Sequence, residues 1–147
     1  MATTVLAIDD SKKILDIVKY FLEQDGYAVK ACSDPFQGIQ VAQQGGVDLI
    51  LLDIMMPGMD GYTVYDHLKK DPKTRDVPVI MLTAKAIILH TPKDFFYGLY
   101  GFLAKPFSKQ QLLKVVSEAL RITTSGAETD FIKPVKEEGK PEEEAEG

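Results

Sequence analysis

Apolar residues along this chain fall into two alternating kinds of segment. Short runs at Thr4-Val5-Leu6-Ala7-Ile8, Tyr27-Ala28-Val29-Lys30-Ala31-Cys32, Leu49-Ile50-Leu51-Leu52, Val77-Pro78-Val79-Ile80-Met81-Leu82 and Gly101-Phe102-Leu103-Ala104 predict strands. Several are continuous rather than alternating, as expected of strands covered on both faces. Between them the apolar positions recur at three- and four-residue steps, the spacing of one helix face. Ile14, Leu15, Val18, Phe21 and Leu22 form one such stripe, Tyr62, Val64, Tyr65 and Leu68 another, and Leu112, Leu113, Val116 and Leu120 a third, while Ile39, Val41 and Ala42 make a sparser one.

Local signals bound these helices. Ser11 reads as an N-cap, Asp34-Pro35 as a cap followed by proline at the first helical position, and Ser108 with Gln111 as a capping box. Gly26, Gly45-Gly46 and Asp71-Pro72 end helices, and Thr91-Pro92 opens a short one through Tyr100. Five strands alternating with five helices predict an α/β domain, a doubly wound five-stranded parallel sheet with helices on both faces and right-handed crossovers.

Ligands in such sheets bind outside the carboxyl ends of the strands. Asp9 and Asp10, Asp53, Thr83 and Lys105 all fall there, on four different strands. Asp53 closes the most apolar run and leads into Met55-Met56-Pro57-Gly58-Met59-Asp60-Gly61. A lone acid in that setting would ordinarily stop a strand or cap a turn. Three acids, a hydroxyl and a lysine on one rim argue instead for chemistry.

Converging carboxylates repel one another by roughly 4 kcal/mol per pair at an intermediate dielectric, so the cluster needs a cation or must take up protons. Oxygen-only donors favour Mg²⁺ or a similar hard ion such as Mn²⁺. With Lys105 as a mobile charge and Thr83 as a hydroxyl donor, the set describes a pocket for a phosphoryl group transferring in line onto Asp53.

Charge and cysteine content narrow the partners. The 147 residues carry a net charge of −5, and all of it lies in residues 123–147; the 14 acids of residues 1–122 are matched by 14 basic residues. A neutral folded part argues against direct nucleic-acid binding by broad electrostatics. Cys32 is the only cysteine and reads as a small core hydrophobe, so no disulfide framework or thiolate metal site is expected. No apolar stretch approaches a membrane span and no signal-peptide pattern precedes the first strand, which makes the cytoplasm the expected location. His67 and His90 stand apart from the acids and are expected at the surface.

The set Asp9-Asp10, Asp53, Thr83 and Lys105-Pro106, with Met56-Pro57-Gly58-Met59-Asp60-Gly61 after the central acid, resembles the receiver domain of bacterial two-component response regulators. The likeness covers residues 4 to about 121 and is closest to stand-alone, chemotaxis-regulator-like receivers. It implies the flavodoxin-like strand order 2-1-3-4-5 and phosphorylation of Asp53 by a sensor histidine kinase, a phosphotransfer protein or a small phosphodonor. Asp10 and Asp53 would ligate Mg²⁺ directly with the main-chain carbonyl of Met55, and Asp9 largely through water. Thr83 and Lys105 would hold phosphoryl oxygens, Phe102 would be the switch aromatic that moves inward with Thr83, and the Lys105–Pro106 bond would be cis.

Two features depart from that pattern. Ala86-Ile87-Ile88-Leu89 is apolar where such domains are usually polar, and the following helix carries Phe95, Phe96, Tyr97, Leu99 and Tyr100. Ile87, Phe95, Phe96 and Tyr100 are therefore a candidate surface for a downstream protein or a second copy of the chain, on the face made by the fourth helix, fifth strand and fifth helix. The second departure follows the 1–122 receiver: no effector domain is expected in residues 123–147, which are rich in Glu, Lys and Pro and expected to be disordered.

Other functions compete. A haloacid-dehalogenase-like phosphohydrolase would place a second aspartate two residues after the nucleophile, where this chain has Met55. An FMN-binding flavodoxin wants a hydroxyl- and glycine-rich loop where Asp9-Asp10-Ser11 stands. A receiver that works as a phosphorylation-independent interaction module has no support from these residues. The expectation is a switch with self-modifying activity, not a metabolic enzyme.

Overall fold

The structure is a computed structural model and describes residues 2–84 and 100–125, the side chains of 122–125 excepted. In chain order the elements are β1 (Thr4–Ile8), α1 (Lys12–Gln24), β2 (Ala28–Cys32), α2 (Pro35–Gln43), β3 (Leu49–Asp53), α3 (Gly61–Lys70), β4 (Val79–Ala84), β5 (Gly101–Lys105) and α4 (Lys109–Ser125). All strand pairs are parallel and their order is β2-β1-β3-β4-β5, the doubly wound arrangement expected from the alternation of elements. The chain reverses direction across the sheet between β1 and β3, and there the crevice opens.

Alternate strand residues serve the two faces, the period of a pleated strand. Leu6, Ile8, Ile50, Leu52 and Met81 pack with Ala42 of α2 and with Val64 and Leu68 of α3. Val5, Ala7, Leu49, Leu51 and Leu82 pack with Leu15, Val18 and Leu22 of α1 and with Leu112, Val115 and Val116 of α4. Burial of both faces is what makes β3 apolar throughout; each fully buried aliphatic side chain contributes roughly 1.5–3 kcal/mol.

The caps follow from their side chains. Ser11 Oγ accepts from Ile14 N at 3.2 Å, Asp34 Oδ1 from Phe36 N at 3.1 Å and Asp60 Oδ1 from Thr63 N at 2.9 Å. Ser108 and Gln111 form both arms of the capping box, Gln111 N donating to Ser108 Oγ at 3.0 Å and Ser108 N to Gln111 Oε1 at 2.8 Å.

Boundaries shift in three places. β4 begins at Val79 rather than Val77, because Pro78 has no N–H; its carbonyl still accepts from Ile50 N at 3.0 Å. Tyr27 lies before β2, its N–H turned back to Leu22 O to close α1. α4 runs to Ser125, beyond its last apolar stripe position at Leu120. The expected helix after residue 91, with Ile87, His90, Phe95 and Phe96, and the tail beyond Ser125 lie outside the described residues.

Candidate functional site

Each site residue is delivered by the end of a strand. Asp9 follows β1, and its amide extends the sheet by donating to Cys32 O at 3.1 Å, which draws the side chain fully out of water. Its Oδ1 accepts from Ser11 N at 2.9 Å, so the residue that caps α1 also orients the carboxylate. Asp10, one step on, is exposed. Asp53 is the last residue of β3, paired across the sheet with Leu82 and only 3% exposed. Its Oδ1 accepts from Met55 N at 3.3 Å.

Lys105 ends β5, two strands away from Asp53, and its peptide bond to Pro106 is cis. Its Nζ donates to Asp53 Oδ1 at 3.2 Å and stands 2.8 Å from Asp9 Oδ2. The second contact is a close ion pair, and Asp9 Oδ2 has no partner besides this ammonium among the described residues. Thr83, on the intervening β4, is equally buried, and its hydroxyl has no hydrogen-bond partner among them either.

These surroundings set the charges. Burial, reinforced by the nearby Asp9 and only partly opposed by Lys105, pushes the Asp53 carboxyl up to about 7. Burial alone would lower Lys105, but its contacts with Asp9 and Asp53 outweigh that and hold its pKa above the ordinary lysine value. Three carboxylates face one ammonium. One oxygen from each of Asp9, Asp10 and Asp53 can be chosen so that all lie within 4.8 Å of one another. An oxygen-only donor set of this charge and spacing fits a hard divalent cation.

Other expected participants fall as follows. Met55 exposes its side chain while its amide faces Asp53. Phe102 is buried, paired with Met81 across β4 and β5 and packed in the core on the α2 and α3 side. Tyr100 is half-buried, its amide donating to Val79 O at 3.0 Å. His67 is exposed and Cys32 buried. Gly61, which closes the turn motif after Asp53, starts α3 against the main chain of Asp53 and Ile54, a contact that the sequence alone did not reveal.

Residues 5–117 match the model of the response regulator receiver domain, and the chain belongs to that family of two-component signalling proteins. It is 41% identical over 119 residues to RpaA of Synechocystis, described as a DNA-binding dual master transcriptional regulator, a match covering 81% of this chain and 49% of that one. The chain thus spans about half the length of the curated relatives it matches. Its structure resembles the chemotaxis protein CheY4 of Vibrio cholerae, with a TM-score of 0.74, 31% identity, and coverage of 82% of this chain and 100% of that one. The receiver domain of the Pseudomonas aeruginosa sensor histidine kinase PA1611, crystallised with a magnesium ion in its active-site cleft, is similar at a TM-score of 0.74 and 27% identity, covering 82% of this chain and 99% of that one. Among the described residues no helix is long and apolar enough to cross a membrane.

Proposed function

We propose that this chain is a phosphorylatable switch in which Asp53 accepts a phosphoryl group from the phosphohistidine of a sensor kinase or phosphotransfer protein, or from a small phosphodonor. The observation that carries this reading is the reach of Lys105 to two buried carboxylates, 2.8 Å from Asp9 and 3.2 Å from Asp53. A structural lysine would need only one of them.

An Asp53 carboxylate oxygen attacks phosphorus while the donor's P–N bond breaks; the bonding pair leaves with the imidazole, which takes up a proton, and an acyl phosphate remains on Asp53. Mg²⁺ or Mn²⁺, held by Asp10, Asp53 and the Met55 carbonyl with Asp9 acting through water, would supply neutralisation of the phosphoryl charge. Lys105 exchanges its bond to Asp53 Oδ1 for a phosphoryl oxygen and stays anchored by Asp9. The unpartnered Thr83 hydroxyl donates to another. Attack of water on phosphorus then returns the carboxylate and inorganic phosphate, which makes the chain a self-resetting signal rather than a metabolic enzyme.

A signal requires the two states to differ in partner affinity. Thr83, drawn toward the phosphoryl group, would favour the buried position that Phe102 occupies here and so alter the surface at β5 and α4. A downstream protein or a second copy would bind there, with Ile87, Phe95, Phe96 and Tyr100 as the candidate contact residues. Residues 1–122 act as the receiver and 123–147 as an acidic tail, in the cytoplasm where the kinase's catalytic part works.

Borohydride reduction of the phosphodonor-treated protein, followed by peptide mapping, tests the reading. Conversion of residue 53 to homoserine is expected; an unmodified Asp53, or modification at another acid, would overturn it.

A further inference from the structure

We propose that the acidic segment 126–147 docks back onto the outer face of α1 and α4, where the folded part of the chain carries its excess of basic side chains. The proposal does not depend on Asp53 being the phosphoacceptor. It gives an occupant to a face, and a place to a segment, that the signalling reading leaves unused.

Charge distinguishes the two helical layers. On the layer of α1 and α4 with their caps, the basic side chains are Lys12, Lys13, Lys19, Lys109, Lys114 and Arg121, against the acids Asp16, Glu23, Asp25 and Glu118. All of the bases but Lys109 are exposed. On the layer of α2 and α3 with their caps the balance reverses, Lys69 and Lys70 being set against Asp34, Asp60, Asp66 and Asp71. Lys69 is moreover turned onto the carbonyls of Arg75 and Val77, which takes its charge away from the surface. Residues 126–147 hold eight acids and three lysines, with Glu142, Glu143, Glu144 and Glu146 gathered at the far end. A segment of that sign is drawn to the α1 and α4 layer and repelled by the other.

Attachment makes a weak contact sufficient. The segment leaves from the end of α4, which packs beside α1 on the same face of the sheet. Its 22 residues can extend to about 75 Å, some three times the roughly 25 Å length of α4, so reach does not limit it. A linked partner is present at an effective concentration on the order of millimolar, and an affinity of that order already gives half occupancy. An apolar anchor stands among the bases: Lys13, Ile17 and Tyr20 follow one another on the outward side of α1 at steps of four and three, and Tyr20 is 62% exposed. Phe131-Ile132, between the first acids of the segment and its glutamate run, is the apolar pair that would cover it.

A nitroxide at residue 145 of the full chain reads the docking directly. Ala145→Cys supplies the attachment point, since the one native cysteine, Cys32, is buried. At about 0.02 M salt, where the screening length is about 20 Å, amide signals of α1 and α4 should lose at least half their intensity relative to the reduced label, while those of α2 and α3 keep theirs. At about 0.5 M, where screening acts within about 4 Å, the loss should disappear. Lys12→Gln, Lys13→Gln and Lys19→Gln together should raise the low-salt α1 signals at least twofold. A mixture of labelled chain with unlabelled, isotope-enriched chain should show no loss, because the contact lies within one molecule. Undiminished α1 and α4 signals at low salt, an equal loss on α2 and α3, or a loss indifferent to salt or to the three lysines would overturn the proposal. So would an equal loss in the mixture, which would make the occupant a second copy.

Discussion

Lys105 reaches from the end of β5 across β4 to Asp53 at the end of β3, placing its ammonium 3.2 Å from the carboxylate oxygen. It is the one cation that the structure brings to the buried pair of Asp53 and Asp9 among the described residues. Replacing it by methionine should leave two buried carboxylates facing each other. Loss of one partner from a fully buried pair costs about 3–5 kcal/mol, and the partial solvation of Lys105 reduces the expected loss to about 2 kcal/mol. Urea unfolding in chelator should register this, and saturating Mg²⁺ should narrow the gap. An unchanged midpoint without metal would refute the pairing's importance.

Asp53→Asn should behave in the opposite way. Removing a charge that burial and Asp9 disfavour is expected to raise metal-free stability by about 1–2 kcal/mol at mildly alkaline pH, the lost bond to Lys105 offsetting part of the gain. Wild type should in turn be stabilised by Mg²⁺ by about 2.7 kcal/mol at a hundredfold excess over its dissociation constant, and the variant by much less. A destabilised Asp53→Asn protein that still responds fully to Mg²⁺ would contradict this.

Thr83 separates stability from signalling. Its buried hydroxyl lacks a partner among the described residues, and an unsatisfied polar group costs about 1–3 kcal/mol. Thr83→Val keeps the shape and should therefore be as stable as wild type or more so, by up to about 1 kcal/mol. The same change should weaken the conformational response of Phe102 to phosphorylation. Thermal unfolding and the NMR shifts of the Phe102 ring, with and without a phosphodonor, measure the two effects; a clear loss of stability would mean that the hydroxyl is already bonded.

Lys69 gives the fold a pH dependence away from the site. Its ammonium donates to Arg75 O at 2.9 Å and Val77 O at 3.0 Å, lies 5.5 Å from the centre of the Tyr65 ring, and burial lowers its pKa to about 8 against the opposing pull of Asp76. The folded value lies below the ordinary 10.5, so the folded protein gives up this proton first. Between about 8 and 10.5 the unfolded chain holds more protons and stability rises with pH. Relative to Lys69→Met, wild type should gain about 1 kcal/mol from about pH 7 to pH 9, a figure that allows for solvent screening. A difference that stays flat across that range would show that the amine titrates normally.

The strands and most of the helix stripes were legible because both faces of the sheet are buried and the caps use ordinary chemistry, as at Ser11, Asp34 and Ser108. The inward stripe of α4 is broader than its spacing suggested, because Val115 and Ala119 are buried too while Leu113 and Leu120 are only partly so. At the site, sequence could place Asp9, Asp53 and Lys105 at strand ends but could not say that one ammonium meets both acids, since that depends on the order of strands. Gly61 stood in the turn motif after Asp53, but only the packing of α3 on β3 reveals why a side chain is excluded there. A glycine at the first turn of a helix was the available signal.

The central claim is most directly tested by intact mass after incubation with acetyl phosphate and Mg²⁺, for wild type and Asp53→Asn in parallel. Wild type should gain a single phosphoryl mass that is lost on standing and never forms with chelator, and Asp53→Asn should gain none. Equal phosphorylation of the two proteins, or none of wild type, would contradict the account.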